Sequence, residues 1–266
     1  AILGEASESS GESSSLTDIS IPDNQVRLLK ALKATGKKVV VVLLSGRPLV
    51  LEEILPHSDA ILNAWFPGSE AGLALADVLY GDVNPSGKLT MTYPQNVGQV
   101  PIYYNHKNTG RPLEGEWFQK FKTNYLDVSN EPQFPFGFGL SYSQFEYGEM
   151  KLSSTQLNGD EKLQVTIPVN NSSEKDGKEV VQLYIRDKVG TTTRPVKELK
   201  AFEKVLIKAG ETKNVEFEIT TEDLKFYTYD NLSDQNIVHT WEAGEFEIMV
   251  GTNSSDLQSK TVNWSK

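Results

Sequence analysis

The sequence has 266 residues, of which 38% are hydrophobic and 23% are charged, a composition typical of globular proteins and sufficient for two domains. The formal net charge of −10 and the isoelectric point near 4.9 argue against sequence-independent nucleic-acid binding, which needs a basic face, and against a polybasic membrane surface. The absence of cysteine excludes disulfide bonds and cysteine-based zinc or thiol chemistry. The longest apolar run, residues 39–44, has the length of a strand and is too short to span a membrane.

The first 133 residues predict alternating strands and helices. Residues 1–4 have the pattern of the end of a buried strand rather than of a natural N-terminus, so we expect a removed segment upstream. We predict, in order, a helix over 24–34 capped by Asp23, a buried strand over 39–44, a short helix over 51–55, a buried strand over 60–64, a helix over 68–80 with Leu73, Ala76 and Leu79 facing inward, and a strand over 89–93. This order predicts an α/β domain with a mostly parallel sheet and right-handed crossovers.

The run Phe-Pro-Phe-Gly-Phe-Gly-Leu-Ser-Tyr over 134–142 separates two segments of different character. Its proline fixes one φ angle and its glycines permit geometry denied to other residues, so we predict a tight aromatic hinge. Before it lies a long irregular stretch over 94–133, of the kind that is often functional. After it, period-two strands are predicted over 163–169, 180–185, 215–219 and 244–251, separated by polar turns and without helices. This second part predicts a β-sandwich.

Histidine and tryptophan are the remaining residue types that could bind a metal ion or a ligand. His57, His106 and His239 are scattered and lack metal-ligand spacing, so they are interpreted as structural or solvated, although His106 lies in a loop that could face a ligand. Trp65 and Trp117 could each stack on a ligand ring. Trp65 follows a predicted strand and is interpreted as core, whereas Trp117 lies in the irregular stretch, where core packing and stacking are equally open.

Several long segments together resemble one known family. The motifs are GKKVVVVLLSGRPL at 36–49, AWFPGSEAGLALADVLYGDVNPSGKLTMTYP at 64–94, YYNHKNTGRP at 103–112, PFGFGLSY at 135–142 and RPVKELKAFEKVLIKAGET at 194–212. In combination they resemble glycoside hydrolase family 3, the β-glucosidase and β-xylosidase type, and the third is similar to a loop of the periplasmic bacterial β-glucosidases. The resemblance implies an N-terminally truncated α/β sandwich domain over 1–133, a hinge over 134–144 and a fibronectin-III-like β-sandwich over 145–266.

The resemblance also implies a reaction, the retaining hydrolysis of terminal β-linked sugars in oligosaccharides or glycosides, without a cofactor. In this family a glutamate in a loop after a strand, often written Ser-Gly-Glu, is the general acid/base, and here that is Glu12 in Ser10-Gly11-Glu12. Glu5 and Glu8 compete for the role, and Glu5 directly follows the first strand. The family's aspartate nucleophile lies on an N-terminal (β/α)8 barrel, which has no counterpart in these residues. A periplasmic or secreted location is implied as well.

Two positions depart from the family pattern. Leu16 stands where many relatives carry arginine four residues after the acid/base glutamate, and Asn124-Tyr125 stands where some carry Arg-Tyr. These departures bear on a sugar subsite or on specificity more than on the fold. Two other classes of function stay open, a carbohydrate-binding module that lacks turnover and a structural fragment that lacks any site.

Overall fold

The computed structural model describes residues 1–9, 11–113, 118–229 and 236–266. The chain forms two compact units and contributes to them in alternation. The first unit consists of Ala1–Asp82, Met91–Ile102 and Leu113–Phe134, and the second of Val83–Thr90, Tyr103–Pro112 and Pro135–Lys266.

The first unit contains a three-stranded parallel sheet, as the α/β pattern predicts. Its strands are β1 (Ile2–Gly4), β2 (Val40–Leu44) and β3 (Ala60–Asn63), in the order β1-β2-β3. The central strand supplies the core, because Val41, Val42 and Leu43 are buried. Two α-helices, α1 (Asp23–Ala34) and α2 (Ala71–Tyr80), follow β1 and β3, and short 3₁₀ turns lie at Ser7–Ser9, Leu55–His57 and Val97–Gln99.

Helix α1 begins one residue earlier than predicted. Pro22 occupies the N-cap position and makes no side-chain hydrogen bond, and Asp23 is the first helical residue, so the predicted Asp23 cap is wrong. Pro22 has φ −56° and ψ 136°, and this ψ keeps it outside the helix, while Asp23 in the first turn still complements the helix dipole. Val26 and Leu29 are buried against the unit, whereas the other apolar positions of the predicted face, Leu28 and Leu32, are exposed.

The predicted burial of β3 and α2 is wrong. Neither element contains a buried residue, and Leu73 of α2 is 70% exposed. The apolar periodicity of α2 marks a face suited to packing, but periodicity alone does not say whether a neighbour covers that face. The helix does end as predicted, with Gly81 in the left-handed conformation.

Two further predicted elements are also absent. In place of a helix over 51–55, the chain makes a turn followed by the 3₁₀ helix Leu55–His57. In place of a strand over 89–93, the backbone makes two separate contacts. Tyr93 forms an isolated β-bridge with Phe134 in the first unit, and Leu89 hydrogen-bonds Gly137 and Phe138 in the second. Short apolar runs satisfy several local structures, and backbone partners distant in sequence decide among them.

The second unit is dominated by an all-β fold, as predicted. Its strands are β4 (Phe145–Tyr147), β5 (Lys151–Leu152), β6 (Gln156–Asn158), β7 (Leu163–Asn171), β8 (Gly177–Asp187), β9 (Glu198–Ile207), β10 (Thr212–Ile219), β11 (Phe226–Tyr229), β12 (Ile237–Thr240), β13 (Gly244–Gly251) and β14 (Leu257–Ser265). A four-residue helix, α3 (Thr221–Leu224), was not predicted. One sheet has the order β10-β7-β4, with β5 also on β7, a second has the order β6-β14-β13-β8-β9, and β11 pairs with β12. The first two sheets contribute to one hydrophobic core, which includes Ile167, Val181, Ile248 and Trp264.

Residues 83–90 belong to this second unit by direct contacts. The Lys88 ammonium lies 2.9 Å from the Glu179 carboxylate and donates a hydrogen bond to the Gly139 carbonyl. The side-chain oxygen of Asn84 accepts hydrogen bonds from the Ser141 hydroxyl and the Tyr142 amide at 2.8 Å each. The aromatic hinge segment is therefore fixed by polar groups that lie about fifty residues earlier in the sequence.

Candidate active site

The candidate site lies at the carboxyl end of the parallel sheet in the first unit. Glu5 follows β1, Arg47 lies in the loop after β2, and Asn63 ends β3. Ligands of open α/β sheets bind at this edge, because the loops that follow parallel strands all emerge there. Gly4 allows the close approach of β1 to β2, since its φ is +141° and a Cβ atom would lie 1.7 Å from the Leu44 carbonyl oxygen.

Glu5 and Arg47 form a buried ion pair at this edge. The Glu5 side chain is 5% exposed and that of Arg47 is 20% exposed. One carboxylate oxygen of Glu5 accepts a hydrogen bond from the Arg47 guanidinium and the other accepts one from the Gly46 amide at 2.8 Å. The guanidinium also donates to the backbone carbonyls of Ser9, at 2.8 Å, and Ser14. Both oxygens of the Glu5 carboxylate therefore accept hydrogen bonds from the loop after β2.

Glu12 lies between Ser9 and Ser14 in the sequence and is exposed. The loop reverses there through two residues with positive φ, Gly11 at +120° and Ser13 at +60°. A serine in this region is uncommon, and such geometry often accompanies functional sites. Among the described residues, the Glu12 carboxylate has no hydrogen bond or ion pair, whereas the Glu12 backbone carbonyl accepts a 3.5 Å hydrogen bond from the Ser14 hydroxyl. Ser10 of the predicted motif lies outside the described residues.

Glu8 precedes Glu12 by four residues. It lies in the 3₁₀ turn Ser7–Ser9 and is exposed. Hydrogen bonds from its own backbone amide and from Ser7 hold the pKa of the Glu8 carboxyl below its usual value. A general acid needs a pKa near the operating pH, so this environment is unfavourable for the role.

A second polar cluster, which the sequence analysis did not identify, surrounds Tyr93. The Tyr93 hydroxyl faces Ser45 and Asn63, and burial raises the pKa of this hydroxyl well above its usual value. Both polar atoms of the Asn63 side chain are inaccessible and have no hydrogen-bond partner among the described residues. Trp65, two residues after Asn63, has φ +50°, and its ring centroid is 6.0 Å from that of Tyr93. The positions of Ser45, directly after β2, and Asn63, at the end of β3, could have identified the cluster, because the ends of neighbouring parallel strands meet at one edge of the sheet.

The other residues considered in the sequence do not join this site. Trp65, interpreted from the sequence as core, is partly buried, and its ring is tilted by 55° to that of Tyr93. His106 is exposed, its ring lies 3.2 Å from the Lys107 carbonyl, and it belongs to the second unit, as does His239, which stacks on Tyr227. Trp117 lies outside the described residues. His57 is half-buried at the end of a 3₁₀ turn in the first unit.

Of the two departures from the family pattern, Leu16 is exposed and Asn124 is partly buried beside the exposed Tyr125. Leu16 is 43% exposed, and Tyr125 is similarly exposed. The Asn124 side-chain oxygen accepts a hydrogen bond from the Gln119 amide at 2.9 Å, so this residue organises its own loop. Within the described ranges, no group of three or more His, Asp or Glu side chains is arranged to hold a metal ion, and no helix is long and apolar enough to cross a membrane.

Comparisons with known proteins agree with the fold and the motifs. Residues 1–142 match the model of the glycosyl hydrolase family 3 C-terminal domain, and residues 179–254 match the fibronectin type III-like domain. The chain therefore belongs to glycosyl hydrolase family 3, as the motifs indicate. The α/β fold with a parallel sheet followed by a fibronectin-III-like β-sandwich is confirmed.

The relatives are substantially longer than this chain. A periplasmic beta-glucosidase of Salmonella typhimurium is 45% identical over 258 residues, which are 97% of this chain and 33% of the relative. A beta-xylosidase of Formosa agariphila is 38% identical over 262 residues, 98% of this chain and 34% of the relative. The crystal structure of a beta-glucosidase from Listeria innocua in complex with isofagomine superposes with a TM-score of 0.92 at 45% identity, over 100% of this chain and 36% of that one. The chain thus spans about a third of the proteins it resembles.

Proposed function

We propose that this chain is the acid/base-bearing part of a retaining β-glycosidase that removes terminal β-linked sugars, glucose above all, from oligosaccharides or glycosides. The observation that carries the proposal is Glu12, an exposed carboxylate without a partner among the described residues, on an anchored loop at the carboxyl edge of the sheet, in a chain of family 3. The names of the relatives support the reaction class, since they are a beta-glucosidase and a beta-xylosidase. The name of the Salmonella relative also supports a periplasmic or secreted location.

The proposed mechanism divides the chemistry between two carboxyl groups. Retaining hydrolysis needs them about 5 Å apart, one to attack the anomeric carbon and one to protonate the leaving oxygen. Glu12 protonates the leaving oxygen and then removes a proton from the water that cleaves the glycosyl-enzyme. The nucleophile lies on an N-terminal (β/α)8 barrel of the same enzyme, which corresponds to the part of the relatives that this chain does not cover. No cofactor takes part in these steps.

The surroundings of the three candidate glutamates favour Glu12. Glu5 is buried and committed to Arg47 and Gly46, and Glu8 has a lowered pKa. Glu12 alone among the three combines exposure with an uncommitted carboxylate in the described part of the chain.

The proposal predicts a native protein much larger than 29.6 kDa that hydrolyses aryl β-glucosides with retention of configuration. Intact-mass spectrometry of the protein from its native host and NMR of the first-formed sugar anomer measure the two properties. The 266-residue chain alone, checked for folding by circular dichroism, is expected to show no turnover. A native mass near 29.6 kDa without turnover would replace the proposal with a binding module, and sugar affinity measured by calorimetry would separate that module from a structural fragment.

A further inference from the structure

We infer that Arg47, held in place by Glu5, is a positioning residue that fixes the orientation of Glu12. The inference rests on the proposed function of Glu12 and extends it to the neighbouring loop. In this role Arg47 does not contact the substrate. It acts through the backbone on both sides of Glu12.

The geometry places one guanidinium across the base of the Glu12 loop. One terminal nitrogen of Arg47 donates to the Ser9 carbonyl at 2.8 Å, and the other donates to the Ser14 carbonyl. Ser9 and Ser14 flank Glu12, so both limbs of the loop are tied to the same rigid planar group. This group presents its donors in a fixed fork, which the single ammonium of lysine does not reproduce.

Glu5 fixes the guanidinium in turn. Its carboxylate is almost fully buried at the end of β1 and binds both the Arg47 side chain and the Gly46 amide. Charge-assisted hydrogen bonds of this kind are stronger and more directional than neutral ones. The end of β1, the loop after β2 and the Glu12 loop are thereby joined into one network within the first unit.

Glu12 depends on this network because its own side chain has no anchor in the described part of the chain. Its location is set by the backbone alone, through a reversal that contains positive φ angles at Gly11 and Ser13. A general acid must lie within about 2.6–3.2 Å of the atom that it protonates, and a displacement of about 1 Å can cost on the order of 100-fold in rate. Loosening either limb should therefore reduce proton transfer more than substrate binding.

The test compares Arg47→Lys with the wild type in the complete protein. Arg186→Lys is the matched control, since Arg186 is a half-exposed arginine on β8 whose nearest carboxylate, Glu247, is 3.9 Å away. For an alkyl β-glucoside, kcat/KM of Arg47→Lys is expected to fall about 10–100-fold with KM nearly unchanged. For a dinitrophenyl β-glucoside, whose leaving group needs no proton, kcat/KM should fall less than about threefold. The control should match the wild type with both substrates.

The effect of azide on the rate is a second measurement. A variant that had only lost stability would not show this effect. Azide attacks the anomeric carbon of the glycosyl-enzyme, forms a carbon–nitrogen bond and releases the nucleophile's carboxylate, so this step needs no base. With the dinitrophenyl substrate, azide should raise kcat of Arg47→Lys and yield the glycosyl azide, while leaving Arg186→Lys unchanged. If Arg47→Lys does not fold, Glu5→Gln, which keeps the arginine, is measured with the same readouts and is expected to show the same pattern at smaller size.

The outcomes separate this inference from the proposal on which it rests. Glu12→Gln is measured alongside. If its kcat/KM depends on the leaving group, the positioning role of Arg47 is overturned when Arg47→Lys loses kcat/KM equally with both substrates and does not respond to azide. Unchanged rates for Arg47→Lys would overturn it as well. If Glu12→Gln lacks that dependence, the proposed function fails and the role of Arg47 fails with it.

Discussion

Replacement of Glu12 by glutamine in the complete protein is expected to lower kcat/KM for alkyl β-glucosides by about 10²–10⁴-fold. Glutamine keeps the size of the side chain and carries no transferable proton, so the leaving alkoxide departs without protonation. With a dinitrophenyl glucoside the first step needs no acid, and kcat/KM should fall only a few-fold. Steady-state kinetics over a series of leaving groups measure the effect as a steeper dependence of rate on leaving-group pKa.

Glu8→Gln is the matched control for this variant, because Glu8 is an exposed glutamate four residues earlier in the same loop. It should retain the wild-type rate with both substrates. Unchanged rates for Glu12→Gln with both substrates would exclude Glu12 as the acid/base. The assignment would then pass to whichever of Glu5 and Glu8 shows the dependence on leaving group.

Replacement of Lys88 by methionine is expected to destabilise the second unit by about 3–5 kcal/mol. The Lys88 and Glu179 side chains are 13% and 5% exposed, so the substitution leaves a buried carboxylate without its cation and removes the hydrogen bond to Gly139. The Tyr147 hydroxyl, 3.2 Å away, would still donate a hydrogen bond to Glu179. The free energy of unfolding in urea measures the loss.

Lys162→Met serves as the control, because Lys162 and its partner Glu218 are both largely exposed. Exposed ion pairs contribute little, so this variant should unfold at nearly the wild-type urea concentration. Adding Glu179→Gln to Lys88→Met removes the uncompensated charge and should recover much of the loss. A Lys88→Met protein as stable as the control would show that the buried pair contributes nothing net.

The sequence predicted elements best where one local rule determined the outcome. The strand Gly244–Gly251 has the predicted bounds, because glycines bound a short run in which Phe246 and Ile248 alternate with glutamates. Gly81 ends α2 as predicted, since glycine tolerates the left-handed conformation. Both features depend on a few neighbouring residues, so they could be predicted without knowledge of the tertiary structure.

Features that depend on distant partners could not be predicted in this way. The apolar face of α2 looked like a core face, yet whether Leu73 is buried depends on what packs there. Arg47 was noticed within a motif, but its contacts with Ser9 and Ser14 span more than thirty residues and have no periodic signal. Glu12 is assigned from a family motif, and its role stays a prediction.

Because the chain contributes to its two units in alternation, recombination cannot transfer the second unit as one continuous segment. A segment transferred from residue 135 onward would lack Leu89, which hydrogen-bonds Gly137 and Phe138, and Tyr104, whose ring stacks on Phe136 at 4.4 Å. It would also lack Lys88, the partner of the buried Glu179. Recombination at the apparent linker would therefore deliver a sandwich with an unpaired charge and missing backbone partners. Inheritance of both units as one block avoids that penalty.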